Sequence, residues 1–132
     1  MAVSAALREL VRSRAGDRCE YCGIRQGDDP FFRFHVEHII ARQHGGQTVE
    51  WNLAFSCHHC NLHKGPNLTG LDPLTGLTEP LFHPRTQRWT DHFRIDGVVV
   101  VGVTPVGRTT VRVLAMNAQG RLDLRLAAQS RT

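Results

Sequence analysis

The sequence contains no apolar run near the roughly 18 residues that a membrane-spanning helix requires. Its longest candidate, residues 98–101, is interrupted by Gly102. The first residues carry Arg8 and Glu9 and lack the apolar core of a secretion signal, so a soluble, cytoplasmic protein with no membrane partner is expected. Internal repeats and low-complexity tracts are absent, which excludes solenoids and disordered tails. Charged residues make up only 21%, too few for a coiled coil, and 41% of the chain is hydrophobic, enough for a core. Lysine is almost missing: of sixteen basic residues fifteen are arginine, and the exception is Lys64. The net charge of +4 is therefore carried on guanidinium forks, which match phosphate with two hydrogen bonds where lysine offers a point charge. An anionic polymer as partner fits this balance, and so does an arginine-biased coding preference.

With 132 residues the chain reads as one domain. Its four cysteines form two pairs, Cys19 with Cys22 and Cys57 with Cys60, separated by 34 residues. Two C-x-x-C turns in an intracellular chain read as one tetrahedral zinc site. A redox dithiol would need only one pair and a thioredoxin-like pattern, and two disulfides are disfavoured in a reducing compartment. Four thiolates around Zn2+ carry −2, which lowers the effective charge to about +2. Such a site is closed to substrate, so it serves the scaffold and any chemistry lies elsewhere.

Between the cysteine pairs, residues 31–40 alternate and are rich in aromatic and β-branched side chains, which predicts a strand. On it His35 and Glu37 share one face, and Phe34, Val36 and His38 the other. A loop with Gly45 and Gly46 follows, and residues 61–65 read as the start of a short helix.

The order Cys-x-x-Cys, Val36-Glu37-His38-Ile39-Ile40, Gly45-Gly46, Asn52-Leu53, Cys57-x-x-Cys60-Asn61 and Lys64-Gly65 resembles the zinc-bearing HNH endonucleases, the ββα-metal nucleases. The resemblance covers about residues 17–65, with Asn52 fourteen residues after His38 and Asn61 nine after Asn52. It implies an α+β fold: a ββα-metal core stapled by a four-cysteine zinc site. It also implies metal-dependent hydrolysis of DNA phosphodiesters, double-stranded DNA being the expected substrate. His38 matches the general base, since a neutral imidazole can take a proton from water. Asn52 matches the residue that fixes the base's loop. Glu37, standing where Asp is usual, and Asn61, where His is common, match the ligands of a catalytic ion. Their oxygen donors suit Mg2+ or Mn2+. His35, which shares Glu37's face, and His63, two residues past Asn61, are further candidate ligands. His58 and His59 read as surface residues. Arg42 and Lys64 are candidate phosphate contacts. One site cuts one strand at a time, so a double-strand break implies a dimer or two encounters, and the lack of a visible DNA-reading element favours weak sequence preference or recruitment by a partner. The competing reading is a non-catalytic zinc-stapled module that binds nucleic acid.

Outside that core, residues 2–15 have helical spacing with Gly16 as a stop, and Arg8, Arg12 and Arg14 read as capping and solubilising charges or as DNA contacts. Residues 66–84 are dense in proline and glycine and read as an irregular wrap. Residues 92–96 and 98–103 read as a hairpin turning at Asp96-Gly97. Thr104-Pro105 is a cap followed by a first-turn proline. Residues 117–129 fit a helix, although Leu122, Leu124 and Leu126 alternate as a strand would. A core of about 50 residues is small, so the N-terminal helix and the extension 66–132 are expected to pack on it as one domain over 1–132.

Overall fold

The computed structural model describes residues 3–131. The chain is mixed α and β, with three two-stranded antiparallel sheets. Where the sequence reads as one domain, the structure clusters into two compact units, Met1–Pro66 and Asn67–Thr132.

The first unit begins with α1 (Ala5–Arg14), capped by Ser4, whose hydroxyl accepts from the Leu7 amide at 3.2 Å. Ala2, where the expected helix starts, lies outside the described residues. Of the apolar stripe only Val11 is fully buried. Arg14 is no free cation: its guanidinium donates to the carbonyls of Glu50 and Leu53 and so ties the helix to the segment entering the second strand. Arg12 is held by Glu9 and Asp17 at 2.7 and 2.8 Å.

Strand β1 (His35–His38) pairs with β2 (Leu53–Ser56), with His35 opposite Ser56 and His38 opposite Leu53. The expected strand over 31–40 is thus cut to four residues. Its upstream backbone is satisfied by side chains: Gln26 bonds both Phe32 O and Phe34 N, and Asp29 accepts from Phe31 N. Helix α2 (His58–Lys64) starts three residues earlier than the sequence suggests, because the Cys57 sulfur caps it by accepting from Cys60 N. Helix α2 and the antiparallel β1–β2 pair are the ββα element, built on a core of Val11, Tyr21, Ile24, Phe34, Ile39, Leu53 and Phe55.

The second unit corrects the reading of 66–84 as irregular. It holds a hairpin of β3 (Thr69–Leu71) and β4 (Thr78–Pro80). Asp72 organises the turn, accepting from Leu74 N at 2.9 Å, while its own amide bonds Leu77 O. A second hairpin, β5 (Phe93–Asp96) and β6 (Val99–Gly102), follows the short helix α3 (Trp89–His92). Asp96 pairs with Val99, so its two-residue loop is Gly97-Val98, one position later than expected. Gly97 takes the positive φ of 64° that this turn demands. Helix α4 (Pro105–Val113) starts as the sequence indicates, with Thr104 Oγ1 accepting from Gly107 N at 3.0 Å. Residues 117–129 resolve as a helix, α5 (Gln119–Ser130). Its buried residues are Arg121 and Arg125, while Leu126 is exposed. Arg125 reaches Val98 O at 3.1 Å, and Asn117 makes paired bonds to the Val100 backbone.

Arg108 of α4 grips the fully buried Asp72 with two hydrogen bonds of 3.0 and 2.8 Å, and these hold the carboxyl at about 2, below its ordinary 3.8. A carboxylate whose pKa is lowered on folding stabilises the fold above its unfolded value, and that stability is lost as pH falls through the folded one. Amide protection across β3, β4 and α4, relative to the intrinsic exchange rate at each pH, is therefore expected to fall between pH 4 and pH 2. Asp72→Asn should flatten that dependence.

Candidate active site and metal centre

The four cysteine sulfurs lie within 4.8 Å of one another, all buried and none in a disulfide. Cys22 Sγ and Cys57 Sγ are 3.7 Å apart. A tetrahedron with metal–sulfur bonds of about 2.3 Å has edges of about 3.8 Å, so the cluster fits a zinc ion. Each pair sits on a turn whose amide faces sulfur: Cys22 N bonds Cys19 Sγ at 3.4 Å and Cys60 N bonds Cys57 Sγ at 3.3 Å. Gly23, at φ 82°, closes the first turn. Burial pushes the Cys19 thiol well up, and hydrogen bonds with the other three thiols do the same to Cys60. Four thiolates can coexist here only around a cation. Among the described residues no other group of three His, Cys, Asp or Glu side chains converges in this way.

The alternation expected of β1 holds. His35 and Glu37 both meet side chains of α2, whereas His38 meets the following loop. His38 Nε2 lies 2.9 Å from Thr48 Oγ1, which also accepts from Arg42 Nη1 at 3.3 Å. The ring is partly buried, and burial followed by the Arg42 charge lowers its pKa below the usual 6.5. Neutral imidazole, the form able to accept a proton, is thereby favoured.

Asn52 is buried and clamps the loop that begins at the end of β1. Its Oδ1 accepts from Ile40 N at 2.9 Å, and its Nδ2 donates to Ile40 O at 3.0 Å and to Gln47 O at 2.9 Å. The chain returns so closely that a Cβ on Gly46 would overlap the Ile40 carbonyl and lie 2.9 Å from Asn52 Nδ2, so only glycine fits.

Glu37 and Lys64 depart from expectation. Glu37 is 6% exposed and accepts a hydrogen bond from the hydroxyl of Tyr21, the single tyrosine of the chain. Burial pushes its carboxyl up, against the pull of Lys64 and of Tyr21. Lys64, expected at a phosphate, is 2% exposed; its ammonium donates to Ile39 O at 2.8 Å and stands 3.6 Å from Glu37. It is a structural counter-charge and not a surface cation. Removing one member of a buried pair typically costs about 3–5 kcal/mol. Lys64→Met is thus expected to lower the stability of the first unit by about that amount, measured by denaturant unfolding. A phosphate contact at the surface would leave stability unchanged.

The two histidines considered as extra ligands are engaged elsewhere. His35 Nε2 bonds His58 Nδ1 at 3.0 Å, and His63 Nδ1 bonds His59 O at 2.8 Å. His58 also stacks on Phe32, so it is not an idle surface residue. Asn61 is partly exposed on α2. As folded, these donors do not fit a divalent ion: the carboxylate is sealed, and two imidazoles are turned to other partners. Arg42 is exposed and able to face a phosphate. In the second unit His92 bonds Thr104 Oγ1 at 2.7 Å and His83 accepts from Arg85 N at 3.2 Å. Thr48 and Tyr21 are the site residues that sequence reasoning missed. The available signal for Thr48 was a hydroxyl two positions after the glycine pair.

Residues 19–67 match the HNH endonuclease family model. That stretch contains all four cysteines, His38, Asn52 and Asn61, and the ββα element with its cysteine cluster is consistent with a zinc-bound HNH core. The Septu protein PtuB of Bacillus thuringiensis is 28% identical over 122 residues, covering 91% of this chain and 43% of PtuB. The chain therefore spans under half the length of that relative, and the likeness runs beyond the HNH core into the second unit. No solved structure matches. No helix among the described residues is long and apolar enough to cross a membrane.

Proposed function

We propose that the chain is an endonuclease that hydrolyses DNA phosphodiester bonds with His38 as general base. The observation that carries this reading is the clamped loop: Asn52 holds the backbone from Ile40 to Gln47, and His38, partly buried with a lowered pKa, stands at its edge. His38 takes a proton from water as the water oxygen bonds phosphorus. The bond from phosphorus to the 3′ oxygen breaks with its electron pair, and the 3′ oxygen takes a proton from solvent water, leaving 5′-phosphate and 3′-hydroxyl ends. Arg42 faces the phosphate and offsets the charge that develops there. The cysteine cluster, filled by zinc, holds the two turns that bracket this machinery and takes no part in the chemistry.

HNH proteins generally work with a divalent ion, and Mg2+ or Mn2+ on Glu37 and Asn61 is the arrangement their resemblance implies. The burial of Glu37 argues against that donor set as folded. Double-stranded DNA as substrate, a second copy or recruiting protein, and a cytoplasmic setting belong to the same proposal. The likeness to a Septu protein is compatible with partners but names none.

The test is a supercoiled-plasmid assay with Mg2+, Mn2+ or EDTA, run beside zinc analysis of the purified chain. Nicking that requires added ion, by protein already carrying one zinc, supports the proposal. DNA retention without cutting under every condition selects the zinc-stapled binding module instead.

A further inference from the structure

We propose that Thr48 is a positioning residue that decides which nitrogen of His38 accepts the proton. The inference rests on the reading of His38 as the base and adds to it an atom and a tautomer.

The argument is a count of hydrogens and lone pairs around one oxygen. A threonine hydroxyl has one proton and two lone pairs. Arg42 can only donate, so its contact at 3.3 Å fills one lone pair of Thr48 Oγ1. His38 Nε2, at 2.9 Å, then meets either the remaining lone pair or the hydroxyl proton. If the hydroxyl donates to Nε2, the neutral ring carries its proton on Nδ1 and no nitrogen is left to act as base. If Nε2–H donates to the hydroxyl, Nδ1 presents a bare lone pair to water. Only the second arrangement is competent, and the Arg42 contact allows it by leaving one lone pair open. When Nδ1 gains the proton, both nitrogens bear hydrogen and the bond from Nε2 to Oγ1 persists. The ring need not move during the step.

Thr48 is well placed for this task. Its χ1 is stiff because it is β-branched. Its backbone follows Gln47, whose carbonyl is held by Asn52 at 2.9 Å. Asn52 also holds both backbone groups of Ile40, two residues after His38. One amide therefore fixes the distance between the base and its hydroxyl partner from both sides of the loop.

The experiment compares Thr48→Val, Thr48→Ser and wild type as full chains with matched zinc content and melting temperature. Plasmid nicking is read as kcat and KM. Long-range 15N–1H correlation of His38 reports its tautomer without turnover. Thr48→Val, close in shape but without the oxygen, is expected to lower kcat by roughly 10²-fold, on the scale of general-base effects, with KM within about 2-fold. Thr48→Ser is expected to recover most of kcat. The wild-type ring should carry its proton on Nε2 and that of the valine variant should be mixed. Unchanged kcat in Thr48→Val, or a wild-type ring protonated on Nδ1, overturns the inference. A fall in kcat that serine does not rescue assigns Thr48 a packing role and overturns it too. Failure of the underlying reading is separately visible, because then His38→Ala still cuts or wild type never does.

Discussion

Stripping the ion from the four-cysteine site is expected to unfold the first unit, Met1–Pro66. Structural zinc contributes an apparent 10–16 kcal/mol in small metallodomains at neutral pH, as much as or more than the roughly 5–15 kcal/mol by which a whole domain is stable. The cysteines draw together the turn at Cys19–Cys22 and the cap of α2, and between them lie β1, the clamped loop and β2. Without the ion, the Cys19 and Cys60 thiols, whose pKa values are pushed up, stay buried against the other two cysteines, and the two ends of the segment lose their tether. A strong chelator should abolish amide protection in β1, β2 and α2, release one zinc per chain and expose four titratable thiols. Readdition of zinc should reverse all three. Protection unaltered by a chelator that has removed the ion would sink the structural assignment.

The second large effect is at His38. Replacement by alanine is expected to lower plasmid nicking by 10³-fold or more, towards the upper end of general-base contributions. Zinc content and melting temperature should stay at wild-type values, because the His38 ring is only partly buried and its side-chain hydrogen bond is to Thr48 alone among the described residues. Loss of cutting with an intact fold separates chemistry from scaffold. Wild-type turnover in the variant would remove His38 from the mechanism.

The cysteine turns and the cap of α4 were legible in the sequence because their signals are short-range, whereas His38 was singled out by its place in the family motif. A C-x-x-C turn and a Thr-Pro cap are complete within a few residues, and so are the two knuckles and the start of α4. The Asn52 clamp was legible through family spacing, and its three hydrogen bonds supply the physical content. What sequence reading misjudged depends on distant partners. Lys64 beside Gly65 looks like the solvated end of a helix, and nothing local reveals that its ammonium turns inward to Ile39 and Glu37. Tyr21 lies sixteen residues before Glu37 and meets it only once β1 has packed over the first knuckle. The proline and glycine content of 66–84 concealed a hairpin whose turn is organised by Asp72 and held from α4 by Arg108. In α5 the alternating leucines competed with a helical reading, and the buried residues there proved to be arginines.

Sealing the single lysine inside the protein has a consequence for regulation. At neutral pH every side-chain cation left on the described exterior is a guanidinium, which keeps its charge at any physiological pH. Acetyl transfer, which silences many nucleic-acid-binding surfaces by neutralising lysine, has no side-chain target there. Any grip that the described surface has on a polyanion is therefore set by salt and by arginine chemistry, beyond the reach of lysine acylation.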